Sequence, residues 1–498
     1  MRSVESIKNS AVLLSTQAII LSVQFISRTV FIKTLGAEYL GINGLFSNLL
    51  SMLSLAELGL GTAISYALYK PIAEDNREEI KSLLHFFKRC YFIIGGVVIL
   101  LGFLLMPFLP HFIKGEVNVP VNIYFVYLCF LANSVITYFF AHKRIIIDNS
   151  QNKRITASID FALNMVVSAI QILILLKLQN YILFLLVKII GSIAASVIIA
   201  FVANKKYAFI IETTKPISEE LRKKIYYNVS ILFLGRIGGL VVFGTDFLII
   251  SAFVGLSVVG IYSNYTLIIN TVAMIGNLII QACGASIGNA VATLNKKEIY
   301  AVFKKISFLI FAISGICSVC LLNLINPFIE IWAGADYLLS DSVVYVIVAN
   351  YFFSLNRTLV WVFKDCAGIF KPDRYKPIVE IVFNMGLSLF LVQYLGVIGV
   401  LIGTLANTLF VCIWVESYLV HKYIFENSVF LYVRRYLVQC AVLAVSLGLT
   451  FYANSFVENF VGKCTVSLGI SSAVYFVFFC RTAEFEYFIE LGKRTLRK

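Results

Sequence analysis

Apolar stretches long enough to cross a bilayer recur along the whole of this chain, and few folds accommodate that. A helix needs about 20 apolar residues to traverse roughly 30 Å of hydrocarbon. Within the 498 residues such stretches read as 10–34, 40–68, 91–113, 121–142, 155–178, 182–203, 228–254, 258–292, 306–332, 342–370, 378–395, 397–420, 437–457 and 464–480. The composition agrees: 60% of residues are hydrophobic and only 14% charged, and the mean hydropathy is +0.89. A soluble chain of this length carries a far larger charged fraction. The expected fold class is an all-α polytopic membrane protein of about fourteen transmembrane helices. The long eighth stretch reads as kinked or tilted. No soluble domain is left over. The first apolar run lacks an A-x-A cleavage site and feeds directly into the second, so it reads as a retained helix.

Lysine and arginine set the orientation. With the N-terminus inside, the inner segments hold most of the basic residues: Arg77, Lys81, Lys88 and Arg89; Lys143, Arg144, Lys153 and Arg154; and the run from Lys205 to Lys224. The outer loops hold only Lys33, Lys114, Lys177 and Lys463. Both termini are therefore expected in the cytoplasm. The net charge of +14 reads as this topology signal plus attraction to anionic lipid of the inner leaflet, not as a nucleic-acid footprint. Cys317 and Cys320 form a CxxC inside an apolar helix with no second ligand pair, and read as small packing residues. His85, His111, His142 and His421 are isolated, and HExxH, P-loop and GxGxxG motifs are absent. No metal site is expected.

The chain is doubled. LGAEYLGI (Leu35–Ile42) matches VGLSVVGI (Val254–Ile261), with Gly36 on Gly255, Gly41 on Gly260 and Ile42 on Ile261. The offset is constant (255 − 36 = 219) and carries Asn9 to Asn228, Ala63 to Ala282, Ala73 to Ala292, Asn76 to Asn295, Glu79 to Glu298 and Ile80 to Ile299. Six helices separate the copies, so both have one orientation. A parallel repeat of this kind has a pseudo-two-fold axis along the membrane normal and builds a central cavity between two lobes. The expected organisation is an N-lobe of six helices over 1–204, a basic cytoplasmic linker over 205–227, and a C-lobe of six helices over 228–421. Two extra helices and a basic tail follow over 422–498.

Charges inside hydrocarbon are costly and mark cavities or ion pairs. Asp160, Lys188, Glu380 and Glu416 fall near helix ends and read as snorkelling or capping residues. Lys364 and Asp365 occupy the inner half of the tenth span. Arg28, Glu57, Arg236, Asp246 and Arg357 are deeper and read as lining an aqueous cavity. Arg357 and Lys364 are seven apart and share a helix face, forming a cationic stripe. The offset places Asp246 on Ser27, beside Arg28, and Arg236 on Gln17, closer to the cytoplasm. Glu57 descends to the same level as Arg236 at about 1.5 Å per residue. Two tiers of gating pairs are expected: Arg28 with Asp246 outside, Arg236 with Glu57 inside.

The stretch YLGINGLFSNLLSMLSLAELGLGTAISYALYKPIAEDN (Tyr39–Asn76), followed by EEIKSLLHFFKRCY (Glu78–Tyr91), resembles the start of Wzx-type flippases. These export lipid-linked O-antigen, capsule and exopolysaccharide repeat units, and share a superfamily with multidrug and toxic-compound extrusion transporters. The specific part is LSLAELGLGTAI leading into YKPIA. The resemblance implies transport rather than catalysis. The cargo is an undecaprenyl-pyrophosphate-linked oligosaccharide, turned from the inner to the outer leaflet of the bacterial plasma membrane by alternating access. It also implies a cation-lined cavity, a role that suits Arg28, Arg236, Arg357 and Lys364, since arginine presents a planar fork to phosphate. Glu57, Asp246 and Asp365 are the gate or ion-coupling carboxylates. Coupling to H⁺ or Na⁺, or no coupling, stays open, and no other cofactor is expected. Expected partners are the lipid-linked glycan, membrane lipids, a polymerase and a chain-length regulator. A multidrug exporter or a lipid II flippase are the alternatives. A membrane glycosyltransferase or polymerase predicts a large outer loop or an acidic catalytic motif, and the sequence has neither.

Overall fold

The computed structural model describes residues 2–54, 60–115, 119–212, 216–369 and 372–496. Most of them are helical and none is in a strand, because a backbone in hydrocarbon must satisfy its polar groups within its own segment. Ten helical stretches among the described residues are long and apolar enough to cross a membrane. One of them, 123–178, is bent into two helices at Ser150 and Gln151, where Gln151 takes φ 60°. Large apolar side chains face outward all along these helices, among them Ile190, Val382, Phe410 and Val461. On a soluble protein so much exposed apolar surface would be anomalous. On this multi-pass membrane protein it is the lipid-facing surface.

The chain divides into two compact units, Met1–Gly260 and Ile261–Lys498. The first contains α1 (Arg2–Leu35), α2 (Ala37–Leu53), α3 (Leu60–Ala73), α4 (Arg77–Leu105), α5 (Ile123–Ile147), α6 (Lys153–Leu178), α7 (Tyr181–Lys206), α8 (Glu219–Phe253) and the first turn of α9 (Leu256–Thr293). Its core lies where α5 meets α4 and α7. Phe46 packs edge-on to Tyr127 and Phe130, and the buried Tyr127 hydroxyl donates to the Gly102 carbonyl at 3.0 Å. α8, the first helix of the second sequence copy, packs here against α2 and α3.

The second unit holds the rest of α9, then α10 (Lys296–Ala333), α11 (Asp341–Cys366), α12 (Lys376–Leu395), α13 (Val397–Ala406), α14 (Trp414–Val420), α15 (Val429–Asn454), α16 (Phe460–Phe479) and α17 (Ala483–Leu496). A widened π-helical turn, Asn407–Ile413, joins α13 to α14 and makes one continuous span of them. α10 packs on α11, α15 and α16, and α12 packs on α13.

The sequence repeat has local structural meaning. Gly36 takes φ +84° and its counterpart Gly255 takes φ +137°, a region that favours glycine. Asn76 caps α4 by accepting from the Glu79 N–H at 3.2 Å, and Asn295 caps α10 from the Glu298 N–H at 3.0 Å. Both glutamates reach back to their asparagines, and at Asn295 the two bonds make a full capping box. Gly41 and Gly260 permit one helix crossing within the first unit. A Cβ on Gly41 would lie 2.0 Å from the Leu256 carbonyl oxygen, and one on Gly260 would lie 2.0 Å from that of Ala37. Since Ala37 and Leu256 are also one offset apart (256 − 37 = 219), the contact is reciprocal, as a two-fold crossing demands. Close approach through glycine is a common way for membrane helices to pack.

Candidate functional site

The densest polar chemistry among the described residues is a buried ion cluster in the second unit. Three helices supply it. α11 presents Arg357 and Lys364 from one face, two turns apart. α12 presents Lys376 and Glu380 one turn apart, and α14 presents Glu416. The Arg357 guanidinium donates to Glu416 through Nε (2.9 Å to Oε2) and Nη2 (3.0 Å to Oε1). Nη2 also donates to Glu380 Oε1 at 2.9 Å. Lys376 contacts Glu416 and lies 3.2 Å from Glu380. The Cys412 thiol, on the widened turn, donates to Glu380 Oε1 at 2.7 Å.

Glu416 is fully buried, Glu380 is 5% exposed, Lys376 7% and Arg357 19%. An isolated charge at such a place is costly. Here Arg357 and Lys376 balance Glu380 and Glu416, so the quartet is neutral. The fork-to-carboxylate geometry is the strongest that an arginine makes. Lys364 is bound in the same way: it contacts Asp373 and lies 4.0 Å from Asp365.

The stripe expected on α11 is therefore on one face as read, but it is not an open cationic surface. Both of its cations are held by carboxylates. The reading of Glu380 and Glu416 as snorkelling or capping residues is corrected as well: both are buried partners of Arg357. Asp160, read the same way, pairs with Arg144 across α5 and α6. Lys188 stands two turns inside α7, with Nζ 5.8 Å from the Phe130 ring centroid.

The other expected site residues lie in the first unit. Arg28 is half-buried on α1 and Asp246 is buried on α8. Arg236 is also on α8, with its side chain outside the described residues, and Glu57 lies outside them altogether.

A polar file continues from the cluster along α12, with Lys376, Glu380, Asn384 and Ser388 at steps of four and all buried. Asn384 donates to Thr404 at 3.1 Å, and Ser388 to the Val400 carbonyl at 3.2 Å. The amide oxygens of Asn384 and Asn407 are buried without a hydrogen-bond partner among the described residues. They have capacity to accept from water or to face a small cation. The stretch KPIVEIVFNMGLS carried the signal for this file, since four polar residues recur in it at one-turn spacing.

Comparison with known proteins gives the fold a context. Comparison with the curated proteins gives no match. Among solved structures, the chain is similar to the lipid II flippase MurJ in an inward closed conformation. The TM-score is 0.67 at 14% identity, covering 94% of this chain and 99% of that one. It is also similar to an inward-facing multidrug resistance MATE family transporter of the MOP superfamily, with TM-score 0.59 and 15% identity, covering 80% and 93%. The Vibrio cholerae MATE transporter VcmN, in its bent form, gives TM-score 0.52 at 13% identity, covering 82% and 94%. These likenesses establish a common fold. The family model "Polysaccharide biosynthesis protein" matches residues 6–283, more than half of the chain. With the fold of MOP-superfamily transporters and this match, the chain belongs to the polysaccharide biosynthesis protein family.

Proposed function

We propose that this protein flips an undecaprenyl-pyrophosphate-linked oligosaccharide repeat unit from the inner to the outer leaflet of a bacterial plasma membrane. It is a transporter rather than an enzyme. The family match over residues 6–283 carries the reading. In this reading fourteen spans form two parallel lobes around a central cavity, with both termini in the cytoplasm and the linker at 205–227. Arg28 and Arg236 meet the pyrophosphate. Arg28 with Asp246, and Arg236 with Glu57, close the two mouths in turn. Arg357 and Lys364 have carboxylate partners in the conformation described. For them to hold the cargo, its phosphates must displace Glu416, Glu380 and Asp373. That exchange of one anion for another would tie cargo binding to a shift of α11 against α12 and α14. Asp246, Glu57 and Asp365 are the carboxylates through which H⁺ or Na⁺ would couple. A polymerase and a chain-length regulator are the partners that would take the cargo onward.

The test is to delete the gene in its host and assay lipid-linked oligosaccharide in the membrane. The expected result is accumulation of one complete repeat unit, reversed by the native chain and not by an Arg28→Ala, Arg236→Ala double variant. Unchanged lipid-linked sugar, with altered sensitivity to toxic cations, would move the protein to multidrug export. The second reading is lipid II transport, which the similarity to MurJ favours. Accumulation of lipid II without the repeat unit would select it.

A further inference from the structure

A cavity with cations on its wall lies in the same unit, and no residue of the ion cluster lines it. It has a volume of about 220 Å³ and is walled by residues 300–308 of α10, residues 432–439 of α15 and the junction of α16 with α17. Three cations converge on it: Lys304, Arg434 and Arg435. One carboxylate, Glu484, answers them, accepting from Arg435 at 2.7 Å. Lys304 and Arg434 are left as surplus positive charge at the cavity. Tyr436 also lines the cavity, and its ring packs on Phe353 and Tyr432. At about 1.5 Å per residue, Lys304 stands ~12 Å above the start of α10 and Arg434 ~8 Å above the start of α15. Both residues thus stand within the first three turns of helices long enough to cross a membrane, towards one end of each span.

The rest of the wall is mostly aromatic and apolar, with Ser307, Gln439 and Thr482 among it. Phe308, Phe479 and Val438 line it, and Val438 also belongs to the outward apolar surface of α15 beside Leu437. The cavity thus joins a cationic end to a lipid-facing side. α17 closes one edge: Phe485 and Phe488 pack on Phe308, and Lys305 Nζ sits 3.8 Å from the Tyr487 ring centroid, a strong cation–π distance.

We propose that this cavity binds the phosphodiester headgroup of an anionic membrane lipid. Lys304 and Arg434 face the phosphate, and the acyl chains lie along α15. Basic pockets between membrane helices are suited to such headgroups. The proposal does not depend on the cargo, and an answer about the cargo leaves it standing.

The test is native mass spectrometry of the purified full-length protein with phosphatidylglycerol, phosphatidylcholine and inorganic phosphate. Phosphatidylglycerol should bind in preference to phosphatidylcholine. A basic residue near an anionic surface contributes a factor of about five, so the Lys304→Gln, Arg434→Gln double variant should weaken phosphatidylglycerol roughly thirtyfold. Arg434 is exposed, so the single Arg434→Gln variant, expected to weaken binding about fivefold, is the measure should the double variant misfold. Equal binding of phosphatidylcholine, or an unchanged affinity in the variants, would overturn the proposal. Inorganic phosphate displacing phosphatidylglycerol at millimolar concentration, with the same residue dependence, would assign the cavity to free phosphate and overturn the lipid source.

Discussion

The second unit buries Arg357, Lys376, Glu380 and Glu416 in one cluster. The first unit, 219 residues earlier at each place, has Tyr138, Ala157, Phe161 and Val197. The helices correspond well: α5 ends at Ile147 and α11 at Cys366, one offset apart (366 − 147 = 219). Tyr138 donates to the Ser54 hydroxyl at 2.9 Å, where Arg357 grips two carboxylates. What the copies share is the frame: the positive-φ glycines, the reciprocal glycine crossing and the Asn–Glu caps. What they do not share is the charge. A duplicated scaffold fixes where helices start and cross, and leaves each half free to carry its own chemistry.

This contrast breaks most sharply at Glu416. Removing one partner of a buried ion pair costs about 3–5 kcal/mol, because the other charge stays buried. Glu416→Ala should therefore destabilise the purified protein by about that much in thermal unfolding. Val197→Ala, on an outward face, should stay within about 0.5 kcal/mol. Similar losses at both positions would mean that the cluster adds nothing its apolar counterpart lacks.

The shared frame is tested next. Gly41→Ala and Gly260→Ala each force a methyl group against a backbone carbonyl. Overpacking of this kind costs about 1–3 kcal/mol, and the reciprocal geometry requires the two losses to be alike. Gly284→Ala meets open space and should not destabilise. Smaller again are the caps. Asn76→Ala and Asn295→Ala should each cost about 1 kcal/mol, read as faster amide exchange in the first turns of α4 and α10.

The smallest effect is a pH dependence at α17. Burial pushes the Glu484 carboxyl up, but the hydrogen bonds from Arg435 and from its own backbone, with the charges of Arg435 and Lys304, together outweigh it and hold the group below its ordinary 4.5. A depressed carboxylate contributes its stability above its unfolded pKa. The docking of α17 should therefore be full above about pH 4.5 and weaken as pH falls through the lowered folded value. Amide exchange of Ala483–Leu496 against pH is the check, and Glu484→Gln should remove the dependence.

Much of this frame was legible in the sequence, because it is written in local residues. Glycines at a fixed offset and an Asn three places before a Glu have one physical use each, so the repeat could be read from them. The stripe on α11 was legible from its seven-residue spacing. Its neutralisation was not, since the partners Glu380, Asp373 and Glu416 come from other segments and periodicity within α11 cannot name them. Glu416 lies just beyond the widened turn Asn407–Ile413, where an extra residue per turn shifts the facing side chains away from regular helical register. The polar file of α12 could have been found from its one-turn spacing. The cavity at Lys304 and Arg434 could not, because it exists only where α10, α15 and α17 meet.

The most direct test of the flippase reading is a leaflet assay. The purified chain is placed in liposomes with undecaprenyl-pyrophosphate-linked repeat unit, and the glycan is exposed to an external glycosidase. Cleavage of nearly all of the lipid-linked glycan, against about half in protein-free liposomes with a random leaflet distribution, is the expected result. Cleavage that stays at the protein-free level, under conditions where the same preparation transports lipid II or an organic cation, would contradict it.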